Sequence, residues 1–191
     1  RPNDIAQIDG VDAVLGSSEK FKLFSILEDF EKQDLACVFV NPIEVANDFG
    51  IAHSTDADSR TRAFLKIQDG CDFGCAFCTI PLARGSSRSL GMDKTIEQFK
   101  NLINQGYKEI ILTGVNIGDF GKSTGENFLD LLKALESVDG LKRLRLGSIE
   151  QNLLKDEIIQ LVSTSKVIMP HFHIPLQAGS DETLSLMKRK Y

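Results

Sequence analysis

The sequence predicts an α/β fold in which short parallel strands alternate with helices. Strand-like apolar runs recur after residue 60 roughly every 30 to 45 residues, with one segment of helical apolar spacing between successive runs. This alternation is how parallel sheets and (β/α) barrels are built. A chain of 191 residues with 42% hydrophobic residues is also long enough to bury a substantial core. We therefore expect the C-terminal tail of a small parallel α/β domain, followed by an incomplete partial (β/α) barrel.

The N-terminal unit is predicted to be a βαβ arrangement. Residues 11–15 predict a short strand, residues 17–33 a helix capped by Ser17, and residues 36–40 a buried strand of β-prone residues. The apolar side chains of the helix fall mostly on one side: Phe21, Phe24, Ile26, Leu27 and Phe30. Cys37, in the second strand, is expected to be a buried structural thiol. Residues 41–60 are polar without a sustained period, so we expect two domains, at residues 1–57 and 58–191.

The second unit carries the regular alternation. Strands are predicted at residues 62–67, 109–113 and 143–148, with a fourth that ends at residues 171–175. Helices are predicted at residues 95–105, 127–138 and 153–162, with a last one that begins at Asp181. In such folds the strand-to-helix loops meet at one edge. The cysteine-bearing loop after the first strand and the loops at residues 114–118, 147–150 and 173–180 therefore form one candidate site.

The cysteine-bearing loop contains Cys71, Cys75 and Cys78, a C-x3-C-x2-C triplet that holds three of the four cysteines of the chain. A structural zinc site and a ferredoxin-type 4Fe-4S cluster both take four protein ligands. A cluster held by three cysteines instead keeps one iron open for a substrate or cofactor. We rank this interpretation above a disulfide, a redox C-x-x-C pair, and a zinc site completed by His171, His173 or Cys37.

The spacing resembles the signature of the radical S-adenosylmethionine (SAM) superfamily, in which the open iron binds the amino and carboxylate groups of SAM. The segments CDFGCAFCTIPLARGSSRS at residues 71–89 and HIPLQAGSD at residues 173–181 resemble the methylthiotransferase family of these enzymes. The segments LTGVNIGDFG at residues 112–121 and SIE at residues 148–150 resemble the branch that modifies N6-threonylcarbamoyladenosine in tRNA.

The resemblance implies a cluster on the three cysteines and a mechanism. Reductive cleavage of SAM would give a 5′-deoxyadenosyl radical that abstracts hydrogen from C2 of the modified adenine beside the anticodon. Sulfur would then be inserted and methylated by a second SAM. The partners implied are tRNA and an electron donor such as flavodoxin or ferredoxin. Methylthiotransferases acting on another tRNA adenosine or on a ribosomal protein are the alternatives, and a non-catalytic zinc-stabilised interaction module is the alternative from a different class.

Several rim residues are candidates for cofactor binding. The resemblance places Phe77 near the SAM adenine, although core packing would explain it equally. Gly114 would let its loop approach a ligand, and Asn116 could accept a hydrogen bond from the SAM ammonium or simply form a turn. Ser148 and Glu150 could bind the ribose or methionyl part of SAM, or cap the next helix.

The remaining candidates lie at the ends of this rim. His173 and Gln177 are expected to point toward it, with a structural histidine as the competing interpretation. Arg84 and Arg88 are expected to contact RNA phosphate or the SAM carboxylate, or else to belong to the surface. The basic residues 188–190 are interpreted as a solvated face or a helix C-terminus.

Composition indicates which partners and which cellular compartment to expect. The net charge of −5 argues against holding nucleic acid by bulk electrostatics alone. Apolar runs are shorter than a membrane span, and clustered reduced cysteines indicate the cytoplasm. The chain begins with Arg1 and stops at Tyr191 inside an apparent helix, so we expect a fragment. The second 4Fe-4S cluster of the family would belong only to the full-length parent, and we expect the fragment not to complete methylthiolation.

Overall fold

The computed structural model describes residues 1–28, 30–43, 49–54 and 61–191. Its N-terminal part contains helix α1 (Pro2–Ala6), strand β1 (Ala13–Leu15), a 3-10 turn (Lys20–Lys22), helix α2 (Leu23–Glu28) and strand β2 (Cys37–Phe39). Strands β1 and β2 pair in parallel, with Ala13 opposite Cys37. The predicted βαβ connection is therefore present.

The second part alternates strands and helices. Its elements up to the second long strand are β3 (His53–Ser54), β4 (Arg62–Lys66), β5 (Gln68–Asp69), α3 (Ile80–Arg84), β6 (Arg88–Ser89), α4 (Met92–Asn104) and β7 (Glu109–Thr113). After β7 come a 3-10 turn (Ile117–Asp119), α5 (Phe128–Glu136), β8 (Arg143–Leu146), a 3-10 turn (Gln151–Leu153), α6 (Asp156–Thr164) and α7 (Asp181–Leu186). The α/β class with parallel strands is thus confirmed.

A four-stranded sheet in the order β3-β4-β7-β8 forms the centre of this part. Strands β4, β7 and β8 are parallel, and β3 adds an antiparallel edge. Leu65, Leu112 and Leu146 lie side by side in register, and all three are buried. In β4 and β8 buried side chains alternate with less buried ones, as expected where one face of a strand packs against the core.

Helices α4, α5 and α6 complete the core because each places an apolar stripe toward the sheet. The stripes consist of Phe99 and Leu102 in α4, Leu131, Leu132 and Leu135 in α5, and Ile158 and Val162 in α6. Asn127 caps α5 by accepting a hydrogen bond from the Asp130 amide. None of the helices in the described ranges is long and apolar enough to cross a membrane.

The predictions for the helix and for the second strand of the N-terminal part are wrong. The helix expected at residues 17–33 is a 3-10 turn followed by a six-residue helix. Ser17 caps neither element, and Phe24 is 80% exposed. The strand at residues 36–40 is not buried, since Val38 and Val40 are exposed and Cys37 is half-buried. A helix gains most of its stability from packing its apolar face, and no described element covers this one.

Three predictions for the second part also need correction. The helix expected at residues 153–162 starts later, at Asp156, after a 3-10 turn. The fourth strand is reduced to two isolated parallel bridges, Leu144 to Ile168 and Ser148 to His173. Pro170, between the two bridges, has no amide hydrogen to continue a ladder. The last helix ends at Leu186, so the following basic residues do not belong to it.

Strands β3, β5 and β6 and helix α3 were not predicted. They are short, with two to five residues each, so they carry too little periodicity to be seen in a sequence. The division into domains at residues 1–57 and 58–191 stays a prediction, and residues 55–60 on either side of that boundary lie outside the described residues.

Candidate active site at the cysteine loop

A cavity of about 220 Å³ opens at the C-terminal edge of the four-stranded sheet. The three cysteines of the loop line it, and so do residues from the three other rim loops. Its walls are formed by Cys71, Phe73, Cys75, Phe77, Cys78, Val115, Asn116, Ser148, Glu150, His173, Pro175, Gln177 and Arg189. The convergence expected from parallel topology therefore places most of the predicted site residues around one space.

A larger cavity of about 600 Å³ lies beside it and shares Phe73. Its other walls come from the loop after β7, the 3-10 turn after β8, the first turns of α5 and α6, and Lys190. None of the three loop cysteines lines this larger cavity. The smaller cavity is therefore the candidate active site, because the three cysteines line it.

The cysteine loop starts from a tight backbone packing. Gly70 has a φ of +71°, and a Cβ at this position would collide with the Ser86 carbonyl. The Cys71 amide donates to the Gly85 carbonyl at 3.1 Å, and the Cys78 amide donates to the Cys75 carbonyl at 3.1 Å. These backbone contacts hold a segment that has neither helix nor strand between Asp69 and Ile80.

Cys71 is the most buried of the three cysteines. Burial raises the pKa of its thiol, and a hydrogen bond from the Phe73 amide to Sγ, at 3.4 Å, opposes that effect. Without a metal the neutral thiol is therefore favoured at this position. A bound cation would replace the proton, because metal ligation requires the thiolate.

Asp69 anchors the loop from behind. Its carboxylate accepts hydrogen bonds from Arg84 at 3.0 Å, Arg88 at 3.2 Å and Lys66 at 3.3 Å, and from the Gly70 amide at 2.9 Å. Burial alone would raise the pKa of Asp69, but the Arg84 hydrogen bond and the charge of Lys66 outweigh it, so the pKa is lowered. The ionised carboxylate thus fixes the start of the cysteine loop.

The same contacts locate the two arginines that were predicted to contact RNA phosphate or SAM. Arg84 and Arg88 reach Asp69 and do not line the smaller cavity. The Arg84 side chain is 43% exposed, whereas that of Arg88 is largely buried. In the structure both side chains hold Asp69 in place, and their contact with RNA phosphate or the SAM carboxylate stays a prediction.

Gln68 connects two loops and was not among the residues predicted for the site. Its Nε2 donates to the carbonyl of Gly70 at 2.8 Å and to Ser87 Oγ at 3.0 Å, while its Oε1 accepts from the Asn116 amide at 2.8 Å. A Cβ added to Gly114 would lie 2.8 Å from Gln68 Oε1. Gly114 is therefore needed for packing against Gln68, and it is not a wall of the cavity.

Asn116 ties two rim loops together. Its Oδ1 accepts from the Glu150 amide at 3.1 Å, and its Nδ2 donates to Asp119 at 3.3 Å. Burial raises the pKa of Asp119 and the charge of Lys122 opposes that rise. The Glu150 amide uses one lone pair of the Asn116 oxygen, and a hydrogen bond from the SAM ammonium to the other stays a prediction.

Ser148 and His173 face each other across the two loops that follow β8 and the fourth, interrupted strand. Ser148 Oγ and His173 Nδ1 are 2.8 Å apart, and the Ile149 amide donates to the His173 carbonyl at 3.1 Å. Gln177 has a φ of +63°, a left-handed conformation that is uncommon for a residue with a side chain. These residues line the cavity as predicted; their contacts to a cofactor stay predictions.

Arg189 is the site residue that sequence reasoning missed. Its side chain is only 4% exposed and contacts Cys75 Sγ at 3.0 Å. It also forms an ion pair with Glu150 and donates to the Tyr191 hydroxyl at 3.0 Å. The basic run 188–190 was expected to be solvated, and for Arg189 that expectation is wrong. No apolar period could have revealed it, because the residue lies after the last helix.

The donor set fits an iron–sulfur cluster. Three sulfurs from one loop face a common space, and the buried Nε of Arg189 has no hydrogen-bond partner among the described residues. His171 and Cys37, which a zinc site could have recruited, do not line this space, whereas His173 does. Among the described side chains, no group of three or more His, Cys, Asp and Glu is arranged to hold a single metal ion.

Comparisons with known proteins agree with this chemistry. Residues 65–191 match the family model of the Radical SAM superfamily. The whole chain is 39% identical to the threonylcarbamoyladenosine tRNA methylthiotransferase MtaB of Bacillus subtilis and covers 43% of that protein. It is 36% identical to the MtaB of Aquifex aeolicus and covers 46% of it. The chain thus spans less than half the length of these relatives.

Two further similarities bear on the range of the family. The chain is 30% identical, over 95% of its length, to a tRNA-2-methylthio-N(6)-dimethylallyladenosine synthase of Hydrogenobaculum, covering 42% of that protein. Among solved structures, the radical SAM methyltransferase TsrM from Kitasatospora setae superimposes with a TM-score of 0.54 at 18% identity, over 67% of this chain and 26% of that one. This last likeness concerns the fold alone.

Proposed function

Because the chain belongs to the radical SAM superfamily, we propose that Cys71, Cys75 and Cys78 hold a 4Fe-4S cluster whose fourth iron binds SAM. Enzymes of this superfamily use these two cofactors. The observation that carries the proposal is the common cavity, which the three cysteines share with residues from three other rim loops.

The cluster and SAM together supply one-electron chemistry when bound, and the protein supplies binding and orientation. Phe77 and Val115 provide apolar walls suited to an adenine ring, and Phe77 is still half-exposed at the mouth. Glu150 and the Ser148–His173 pair supply polar groups for the ribose and methionyl parts of SAM. Asn116 acts mainly by holding the loop that carries Glu150 in place through the hydrogen bond from the Glu150 amide.

The reaction proposed for the longer parent protein is methylthiolation of C2 of N6-threonylcarbamoyladenosine beside the anticodon of tRNA. Support comes from the relatives with that name, which match along the whole chain. We propose that the parent works in the cytoplasm, accepts electrons from a flavodoxin or ferredoxin, and carries a second 4Fe-4S cluster. The present chain is proposed to bind one cluster and SAM without completing the reaction.

A second substrate has a specific observation in its favour. The Hydrogenobaculum relative is named for a dimethylallyladenosine product, and it shares the region that contains the site. The alternative is therefore methylthiolation of that other tRNA adenosine. Both substrates would use the same cysteine loop, so the loop does not distinguish them.

Metal analysis tests the cofactor proposal. After anaerobic reconstitution, we expect about four irons and four acid-labile sulfides per chain, as for one 4Fe-4S cluster. Tightly bound zinc without sulfide would instead support a non-catalytic zinc-stabilised module.

Nucleoside analysis tests the substrate. We expect that deleting the gene of the parent protein removes the 2-methylthio form of N6-threonylcarbamoyladenosine from tRNA digests, as measured by mass spectrometry. Selective loss of the dimethylallyl product would identify the second substrate. Loss of neither would contradict the tRNA proposal, and analysis of ribosomal proteins from the same strain would then test the remaining alternative.

A further inference from the structure

The residues after α7 form a strap across the cysteine loop. The Ala76 amide donates to the Met187 carbonyl at 3.0 Å, so the strap contacts the backbone between the second and third cysteines. The Tyr191 hydroxyl donates to the Pro175 carbonyl at 2.6 Å. Lys188 has a φ of +55°, which turns the chain sharply after the helix. This turn directs the next side chain, Arg189, inward.

Arg189 joins the strap to both halves of the site. One terminal nitrogen donates to Cys75 Sγ at 3.0 Å, and the other contacts Glu150 and the Tyr191 hydroxyl. The guanidinium also lies against the Tyr191 ring, 4.9 Å from its centroid. A buried cation needs compensating partners. The carboxylate of Glu150 provides one, and the Cys75 sulfur and the Tyr191 hydroxyl, each at 3.0 Å, accept the other hydrogen bonds.

We propose that Arg189 is a positioning residue that holds Cys75 and Glu150 in register and whose charge makes the bound cluster easier to reduce. This inference rests on the proposed function, since it requires a cluster on Cys75. Reduction adds one electron to the cluster, and a buried positive charge at 3.0 Å from a ligand sulfur favours the more negative state. Hydrogen bonds to cluster sulfurs are a recognised control of reduction potential.

Glu150 makes the sign of the effect testable. Its carboxylate pairs with Arg189 and cancels part of the positive charge at the cluster. Removing the arginine charge should therefore make reduction harder, and removing the glutamate charge should make it easier. A residue with only a structural role would not produce opposite shifts from the two ends of one ion pair.

The experiment is a redox titration of the reconstituted chain with dithionite, monitored by electron paramagnetic resonance (EPR) of the one-electron-reduced cluster. Dithionite is oxidised and each cluster gains one electron. We expect Arg189→Gln to lower the reduction equilibrium constant at least tenfold, about 59 mV for a one-electron couple. Glu150→Gln is expected to shift the potential in the opposite direction, and Arg189→Lys, which keeps the charge, to stay near wild type.

Lys190→Gln is the matched control, because it removes the same charge from the neighbouring residue. Lys190 is exposed and lies over the Phe73 ring, 4.5 Å from its centroid, so water and salt should screen its charge. If Arg189→Gln fails to retain a cluster, the Glu150→Gln shift alone still decides the sign.

Two results would overturn the inference while leaving the proposed function intact. In the first, the wild-type cluster responds to SAM, but Arg189→Gln shifts the reduction potential no more than the control Lys190→Gln does. The other is a downward shift in both Arg189→Gln and Glu150→Gln, which would indicate structural damage alone. If the wild-type chain forms no cluster at all, the proposed function itself fails.

Discussion

The four-stranded sheet and the two-stranded sheet of β1 and β2 were predicted from the same kind of pattern but differ in how well they are buried. In the four-stranded sheet, Leu65 and Leu112 are completely inaccessible, and three helices cover the strands. In the sheet of β1 and β2, Val38 is 41% exposed, and in the neighbouring helix α2 Phe24 is 80% exposed. Apolar periodicity therefore predicts which side chains seek burial, but burial also requires a covering element.

The difference extends to the cysteines. Cys71, Cys75 and Cys78 share one cavity at the edge of the larger sheet, whereas Cys37 lies half-buried in the smaller one. Chemistry gathers at the larger sheet because several strand-to-helix loops meet there. A sheet of two strands offers no comparable rim.

The largest expected effect comes from exchanging one cysteine in each region. Cys75→Ala should remove a cluster ligand and reduce the iron and sulfide of the reconstituted chain to background. Cys37→Ala should leave both near wild type, because Cys37 does not line the cavity. Iron and acid-labile sulfide assays measure both variants. Equal iron loss in the two would contradict the separation of the regions.

Core truncation should separate the regions by stability. Leu132→Ala removes a fully buried side chain from α5, and we expect it to lower the free energy of unfolding by about 2 to 5 kcal/mol. Phe24→Ala removes a larger side chain that is exposed in the structure, with an expected effect within about 0.5 kcal/mol. Urea unfolding measures both. A loss at Phe24 as large as at Leu132 would mean that this face is covered in solution.

A smaller effect tests how tightly the rim of the larger sheet is packed. Gly114→Ala would place a Cβ 3.0 Å from the Gln68 carbonyl oxygen, and we expect a loss of about 1 to 3 kcal/mol. Gly179→Ala is the matched control on the same rim, since nothing lies within 4 Å of its added Cβ. Urea unfolding of the two variants should differ, and equal stabilities would argue against close packing at Gly114.

The smallest expected effect on stability comes from one ion pair in each of the two regions. Glu109, on β7, is buried and accepts hydrogen bonds from Arg143 and Arg145, each at 2.7 Å. The Arg143 hydrogen bond does most to lower the pKa of Glu109, while burial opposes it. Next to the smaller sheet, Asp12, which directly precedes β1, and Lys32 pair at 2.9 Å with both side chains exposed. Exposed pairs contribute little to stability.

The lowered pKa fixes the direction of the pH dependence. Stability from the Glu109 contacts is fully present above the unfolded pKa of about 4.3 and is lost as pH falls through the folded value. We expect urea unfolding to show a difference in free energy of unfolding between the iron-free wild type and Glu109→Gln. This difference should shrink as pH falls below about 4.3. Asp12→Asn should show a much smaller difference from wild type at every pH. A pH-independent Glu109→Gln difference would contradict the assignment.

Much of the site could be predicted because parallel topology brings loop residues together from distant positions. Strand-to-helix alternation placed Asn116, Ser148, Glu150 and His173 on one rim, and the structure finds them there. Topology is thus enough to predict which loops meet.

The parts that could not be predicted depend on contacts without a sequence period. Gln68 joins two loops through side-chain hydrogen bonds, and its role follows from a short strand pair that carries no pattern. Arg189 is buried because Lys188 adopts a left-handed turn, which a lysine seldom does. The N-terminal helix was overpredicted because its apolar face has no cover among the described residues. Sequence periodicity cannot supply that information.

We propose that Cys71, Cys75 and Cys78 hold a cluster with one iron open to SAM. EPR of the reduced, reconstituted chain with and without SAM tests this arrangement. We predict a reduced 4Fe-4S signal that changes when SAM is added. A signal that stays the same with saturating SAM, or no cluster signal after full reconstitution, would rule out an open iron that binds SAM.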